Sequence, residues 1–146
     1  MKTIEPPAEL RELIRNGKWT TPTSGAASGY LQANLVMLPA AEAFNFLLFC
    51  VRNPKPCPIL DVLEPGRVEP IIAPGADLRT DLPRYKIFEN GEFQADAENV
   101  SEYFKDDMVS FLLGCSFSFE NAMLAAGLPI RNMESEKNLG SYAANL

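Results

Sequence analysis

No histidine occurs anywhere in the 146 residues. The commonest general base and the commonest metal ligand are therefore both missing. A Ser-His or Cys-His hydrolytic arrangement cannot be assembled from this chain. Cysteine is scarce: Cys50, Cys57 and Cys115 are odd in number and lack CxxC spacing. That pattern argues against a disulfide framework and for reduced thiols in a cytoplasmic setting. Long apolar runs are missing too. Phe46 to Val51 falls far short of the roughly 20 residues a membrane span needs, and the opening Met1-Lys2-Thr3-Ile4-Glu5-Pro6-Pro7 has no apolar signal core. Positive charge is in deficit, with a net charge of −6, which argues against a nucleic-acid surface, since that needs clustered cations, but leaves room for one or two arginines to gather a small anion. There is no G-x-G-x-x-G, no phosphate loop and no carboxylate pair at a recognisable metal-ligand spacing. The reading is of no metal and no organic cofactor. The working parts that remain are carboxylates, serines, arginines and helix termini.

What is present is a folded composition, 47% hydrophobic and 22% charged, enough for one domain over residues 1–146. Leu10, Leu13 and Ile14 repeat at helical spacing before Gly17, which suits a left-handed cap. The polar stretch from Trp19 to Tyr30 is a long loop, of a length that binds something or is disordered, and its bulky anchors Trp19 and Tyr30 favour binding. Leu35-Val36-Met37-Leu38 reads as a buried strand. Residues 40–51 read as a helix whose core stripe is Ala43, Phe46, Leu47 and Cys50, widened almost all round by Phe44, Leu48 and Phe49, and so expected to be largely enclosed. Ile59 to Leu63 reads as a second strand, making a β-α-β unit whose strands should be parallel. Between helix and strand, Arg52-Asn53-Pro54-Lys55-Pro56-Cys57-Pro58 is a stiff connector that could also hold an anion. Val68 to Ile72 suggests a further short strand. Asn90-Gly91 between Tyr85–Glu89 and Glu92–Gln94 is a hairpin signal, because both turn positions need positive φ. From Asp106-Asp107 onward, Met108, Phe111, Leu112 and Cys115 fall at i, i+3, i+4 and i+7 and predict a helix. A second helical segment, or the same helix continued past a kink near Gly114, runs to Ala126 and is closed by Gly127 and Pro129. The expected fold class is α/β: a mixed sheet with a β-α-β unit, helices packed on it and an antiparallel hairpin. Residues 130–146 show no strong apolar period.

The junction Gly114-Cys115-Ser116-Phe117-Ser118-Phe119-Glu120 concentrates the available chemistry. Ser116 or Ser118 suits an N-cap, with Glu120 as an acid in the first turn. The same geometry offers unpaired N–H groups to an anion, with Glu120 beside them as a proton donor or acceptor. Cys115 fits the apolar stripe as a small core residue. In the loop Ala73–Arg84, the planar fork of Arg79 could clamp a carboxylate or could pair with Asp77 or Asp81.

Several blocks are recognisable together: Pro22-Thr23-Ser24-Gly25, Gly29-Tyr30-Leu31-Gln32-Ala33-Asn34, Arg52 to Pro58, Asp61, Pro74 to Asp81, Asp107, and Gly114 to Glu120. In this order they resemble the "putative hydro-lyase" family that includes D-glutamate cyclase, from about Leu10 to the end of the chain. The resemblance implies a cytoplasmic carbon–oxygen lyase acting on D-glutamate and 5-oxo-D-proline or a related small carboxylic acid. Homo-oligomerisation is left open. Family members continue well past the segment matching Tyr142 to Asn145, and their second half contains histidines, so this chain looks like an N-terminal portion. The expected assignments are Glu120, Asp77 and Ser116 in catalysis and Arg79, Ser24, Asn34 and Ser118 in holding a small carboxylate substrate. The alternative is a truncated module that binds a small anion or a partner without turnover.

Overall fold

A computed structural model describes residues 6–27 and 29–129. Helix α1 (Pro7–Arg15) starts with Pro7 at its first position, where the absent N–H costs nothing, and ends as Gly17 turns through φ 65°. Its Leu10 and Ile14 pack on Ala26, Ala27 and Trp19. Trp19 thus anchors the following loop as expected, whereas Tyr30 is about half exposed and does not.

Strand β1 (Ala33–Pro39) leads without a loop into α2 (Ala40–Arg52), and β2 (Ile59–Leu63) follows the proline-rich connector. The last strand of the chain's central sheet is β5 (Met108–Gly114), which lies between β1 and β2 and is antiparallel to both. The β-α-β unit is therefore present with β1 and β2 pointing the same way, split by an inserted antiparallel strand. This overturns the helix expected from Asp106 to Cys115. The segment Met108-Val109-Ser110-Phe111-Leu112-Leu113 is apolar on both faces. Val109, Phe111 and Leu113 pack under α2 with Val36, Leu38, Ala43, Phe46 and Leu47. Leu112 packs on the opposite face with Leu35, Met37, Leu63, Leu78 and Leu82. A strand buried on both sides contains apolar residues at i+3 and i+4 without any helical cause. Asp107 instead accepts the Ala40 N–H through its carbonyl at 2.9 Å.

The second face of the sheet is covered by the irregular segment 73–84, pinned through Leu78 and Leu82. Val68–Ile72 forms no strand. Pro70 has no N–H, and the N–H groups of Ile71 and Ile72 turn onto Asp61 Oδ2 at 2.8 and 3.4 Å. The hairpin β3 (Tyr85–Glu89) and β4 (Glu92–Ala97) is a separate two-stranded sheet, with Asn90 and Gly91 at φ 51° and 81° as the turn requires. Finally α3 (Ser116–Ala125) follows β5 with only Cys115 between. The expectation that α2 would be enclosed does not hold: Phe44 is 70% exposed and Val51 61%. No helix among the described residues is long and apolar enough to cross a membrane.

Candidate functional site

The strand-to-helix junction is fixed by a close approach. Gly114 lies opposite Ala33 in the β1 ladder and donates its N–H to the Pro58 carbonyl at 2.8 Å. A Cβ at Gly114 would stand 2.8 Å from Pro58 Cγ, so only glycine lets the connector reach the end of β5. Cys115 then takes an extended conformation (φ −113°, ψ 145°) as the N-cap, and the helix starts at Ser116. No side chain caps it, so neither Ser116 nor Ser118 plays the expected capping role. Cys115 is half-buried at the helix entry rather than on a helical stripe. Glu120 is the fifth helical residue and stands in the second turn, not the first.

Ser118 is engaged across the sheet end. Its Oγ accepts the backbone N–H of Gln32 at 2.8 Å and lies 3.4 Å from the Gln32 carbonyl, to which it donates. Gln32 Oε1 in turn accepts from Thr23 Oγ1 at 2.8 Å. One chain of hydrogen bonds thus links the Thr23–Ser24 turn, the entry to β1 and the start of α3. Asn34 stands exposed two residues further along, opposite Leu113. Two polar atoms at this end are enclosed without a partner among the described residues, Gln32 Nε2 and Glu120 Oε2. Glu120 is 8% exposed. A buried carboxylate oxygen with nothing to accept from among the described residues is costly to keep, and a catalytic role is one of the explanations for keeping it. The sequence reading had no signal for Gln32 beyond its place in one of the family-like blocks.

Asp77 and Arg79 belong to a different cluster, against α1. Arg79 donates to Asp77 through Nε at 2.9 Å and Nη2 at 2.7 Å, and its backbone N–H reaches Asp77 Oδ1 at 2.9 Å. Of the alternatives left open by sequence, the ion pair with Asp77 is the one formed. These bonds hold the Asp77 carboxyl below the usual range, with partial burial working against them, and raise Arg79. Asp81, almost wholly buried, accepts from Arg15 through Nε and, at 2.8 Å, Nη2; the Asp77 N–H at 2.9 Å and Thr80 Oγ1 at 3.0 Å complete its shell. Tyr85 donates to the Leu78 carbonyl at 2.8 Å, and burial lifts its phenol far above the ordinary value. Of the expected site residues, Ser118 is tied to the entry of β1, Asn34 lies in that strand, Ser24 adjoins Thr23, and Ser116 and Glu120 lie on α3. Asp77 and Arg79 sit on the segment that pins the other face. Among the described residues, no three thiols or carboxylates converge as metal ligands.

Comparison with known proteins falls on this same region. The family model described as D-glutamate cyclase matches residues 109–146, which begin in β5 and include Ser116, Ser118 and Glu120. A protein of Geobacillus kaustophilus named "putative hydro-lyase" is 53% identical over 139 residues, covering 94% of this chain and 53% of that protein. One of the same name from Stutzerimonas stutzeri is 54% identical over 141 residues, 96% of this chain and 53% of its own length. Another, from Syntrophobacter fumaroxidans, is 51% identical over 146 residues, 99% of this chain and 56% of its own length. The chain spans about half the length of the curated relatives it matches.

Proposed function

From its membership of the D-glutamate cyclase family, we propose that this chain supplies one side of the active site of a hydro-lyase. The substrate would be a small carboxylic acid, D-glutamate with its cyclic product 5-oxo-D-proline being the first to test. The observation that carries this reading is Glu120: a buried carboxylate with one oxygen unpartnered among the described residues, on the helix that starts at the end of β5, inside the segment matched by the family model.

In the cyclisation the α-amine nitrogen bonds to the side-chain carboxyl carbon and a carboxyl oxygen leaves as water. Between ammonium and lactam the nitrogen loses two protons, one before it attacks and one after, and the carboxylate oxygen that departs gains both to leave as water. Glu120 carries them from nitrogen to that oxygen one at a time, ending in the state in which it began. Ser116 and the free N–H groups at the start of α3 face the developing negative charge on oxygen. Ser118, held by Gln32, keeps the helix start in register with β1, and Ser24 and Asn34 contribute secondary contacts. Arg79 and Asp77, bonded to each other on the segment that pins the other face of the sheet, take no part in this reading. The setting in this reading is the cytoplasm.

The experiment is to incubate the chain, alone and together with the unmatched half of a relative, with D-glutamate and with 5-oxo-D-proline, following both by chiral chromatography. Interconversion that needs Glu120 supports the lyase. Calorimetric binding without conversion under either condition replaces it with a small-anion-binding module.

A further inference from the structure

Helix α2 carries two apolar stripes, and among the described residues only one of them has something to pack against. Ala43, Phe46 and Leu47 face the sheet beneath Val109 and Phe111, and Cys50 is buried on the same side. Phe46 meets Phe111 edge-on at 5.0 Å. Phe44, Leu48 and Val51 follow one another at i, i+4 and i+7, a second stripe turned about 100° around the helix from the first. Phe44 is 70% and Val51 61% exposed, with Leu48 half-buried between them. The polar residues of the helix, Glu42, Asn45 and Arg52, occupy the arc beyond, so nothing polar interrupts the second stripe. Phe49 is not part of it and stacks on Phe46 at 6.3 Å.

A helix at a protein–water boundary needs one apolar stripe, and a helix apolar over most of its circumference belongs in an interior. Leaving a phenylalanine and a valine in water forgoes most of the stabilisation that burying them would bring. The relatives give the reason. They are 51–54% identical to this chain along nearly all of it and about twice as long. A stretch so similar in sequence carries the surfaces of the longer protein, including those that its other half covers. The outer edge of β1, unpaired among the described residues, is an apolar strand edge that also calls for cover.

We infer that the Phe44–Leu48–Val51 stripe is the docking surface for the other half of the family fold, whether that half is joined to this chain or comes to it as a separate polypeptide. The inference rests on family membership and not on the identity of the reaction.

The test uses this chain alone and this chain fused to the half of the Geobacillus kaustophilus protein that it does not match. Phe44→Glu and Val51→Glu are introduced into both, with Ile71→Glu in the irregular segment 68–72 as an exposed (77%) apolar control. Melting temperature and sedimentation are measured for each. Docking predicts that the stripe variants leave the chain alone within about 2 °C of wild type, and lower the fused protein by about 5 °C or more. The control variant lowers neither. Co-expressed as two polypeptides, the halves should form a one-to-one complex that the stripe variants weaken at least tenfold. Equal melting shifts in the chain and the fusion overturn the inference. A fall in the chain alone assigns the stripe to the chain's own residues, and loss of a homodimer assigns it to a second copy; either result also overturns it.

Discussion

The backbone N–H of Gln32 lies 2.8 Å from the Oγ of Ser118, a bond spanning 86 residues of chain. It fixes the first turn of α3 against the entry to β1, and through Thr23 it brings in the loop before that strand. Ser118→Ala removes the acceptor and leaves the Gln32 N–H bare. We expect a loss of about 1–2 kcal/mol in stability, and in the assembled lyase a fall in turnover larger than that loss explains. Ser118→Thr, which restores the acceptor, should recover most of both. Urea unfolding and single-condition turnover on the same samples check the two together.

Gly114 is expected to tolerate no side chain. In Gly114→Ala the new methyl meets the Pro58 ring, and a proline in a fixed connector has little room to retreat. Overpacking of this kind costs about 1–3 kcal/mol. The double variant Gly114→Ala/Pro58→Ala should recover part of it, a coupling that a thermodynamic cycle measures directly.

Asp77 gives a pH signature. Its folded pKa lies below the ordinary 3.8, chiefly because Arg79 donates to it. A lowered carboxyl pKa stabilises the fold above the unfolded value, and that contribution is lost as the pH falls through the folded value. Asp77→Asn should therefore melt lower than the parent at pH 7, and the gap should close as the pH falls below about 3.8. The pair is partly exposed, so screening keeps the gap below about 1 kcal/mol. Melting curves at pH 7, 5 and 3 in low salt show it.

Much of this architecture is legible in the sequence, and the failures have physical causes. β1, α2 and β2 announce themselves because a four-residue apolar run, a proline at a helix start and a proline-rich stop leave few alternatives. The hairpin follows from Asn90-Gly91, where the backbone demands positive φ. β5 misleads because Val109, Phe111 and Leu113 serve α2 while Leu112 serves the opposite face. With both faces apolar, the period-2 signal disappears and a helical one emerges by coincidence. The site is legible only as a region. Ser116, Ser118 and Glu120 are placed at a helix start by their own pattern, but the Gln32–Ser118 bond is a tertiary contact, and no local signal reports it. The Asp77–Arg79 pair is local, two residues apart, and for that reason could be anticipated as one of two outcomes.

Ser110 provides a test of the corrected strand. It is wholly buried in the middle of β5, opposite Met37 and Leu63, and its Oγ has no partner among the described residues. Removing an unsatisfied hydroxyl from an apolar layer returns its desolvation penalty. Ser110→Ala should be neutral or stabilising by up to about 1 kcal/mol, whereas Ser110→Asp should prevent folding at neutral pH. Thermal melts of the two variants decide it.

The central claim is that the buried carboxylate of Glu120 moves protons in a hydro-lyase reaction. Its most direct test is single-turnover kinetics of the chain assembled with the unmatched half of a relative, comparing wild type with Glu120→Gln on D-glutamate and on 5-oxo-D-proline. Glu120→Gln keeps the shape and burial of the side chain and removes its proton chemistry. The account predicts substrate binding within a few-fold of wild type and a rate reduced by about 10²–10⁴ in both directions. Equal rates for the two proteins would contradict it.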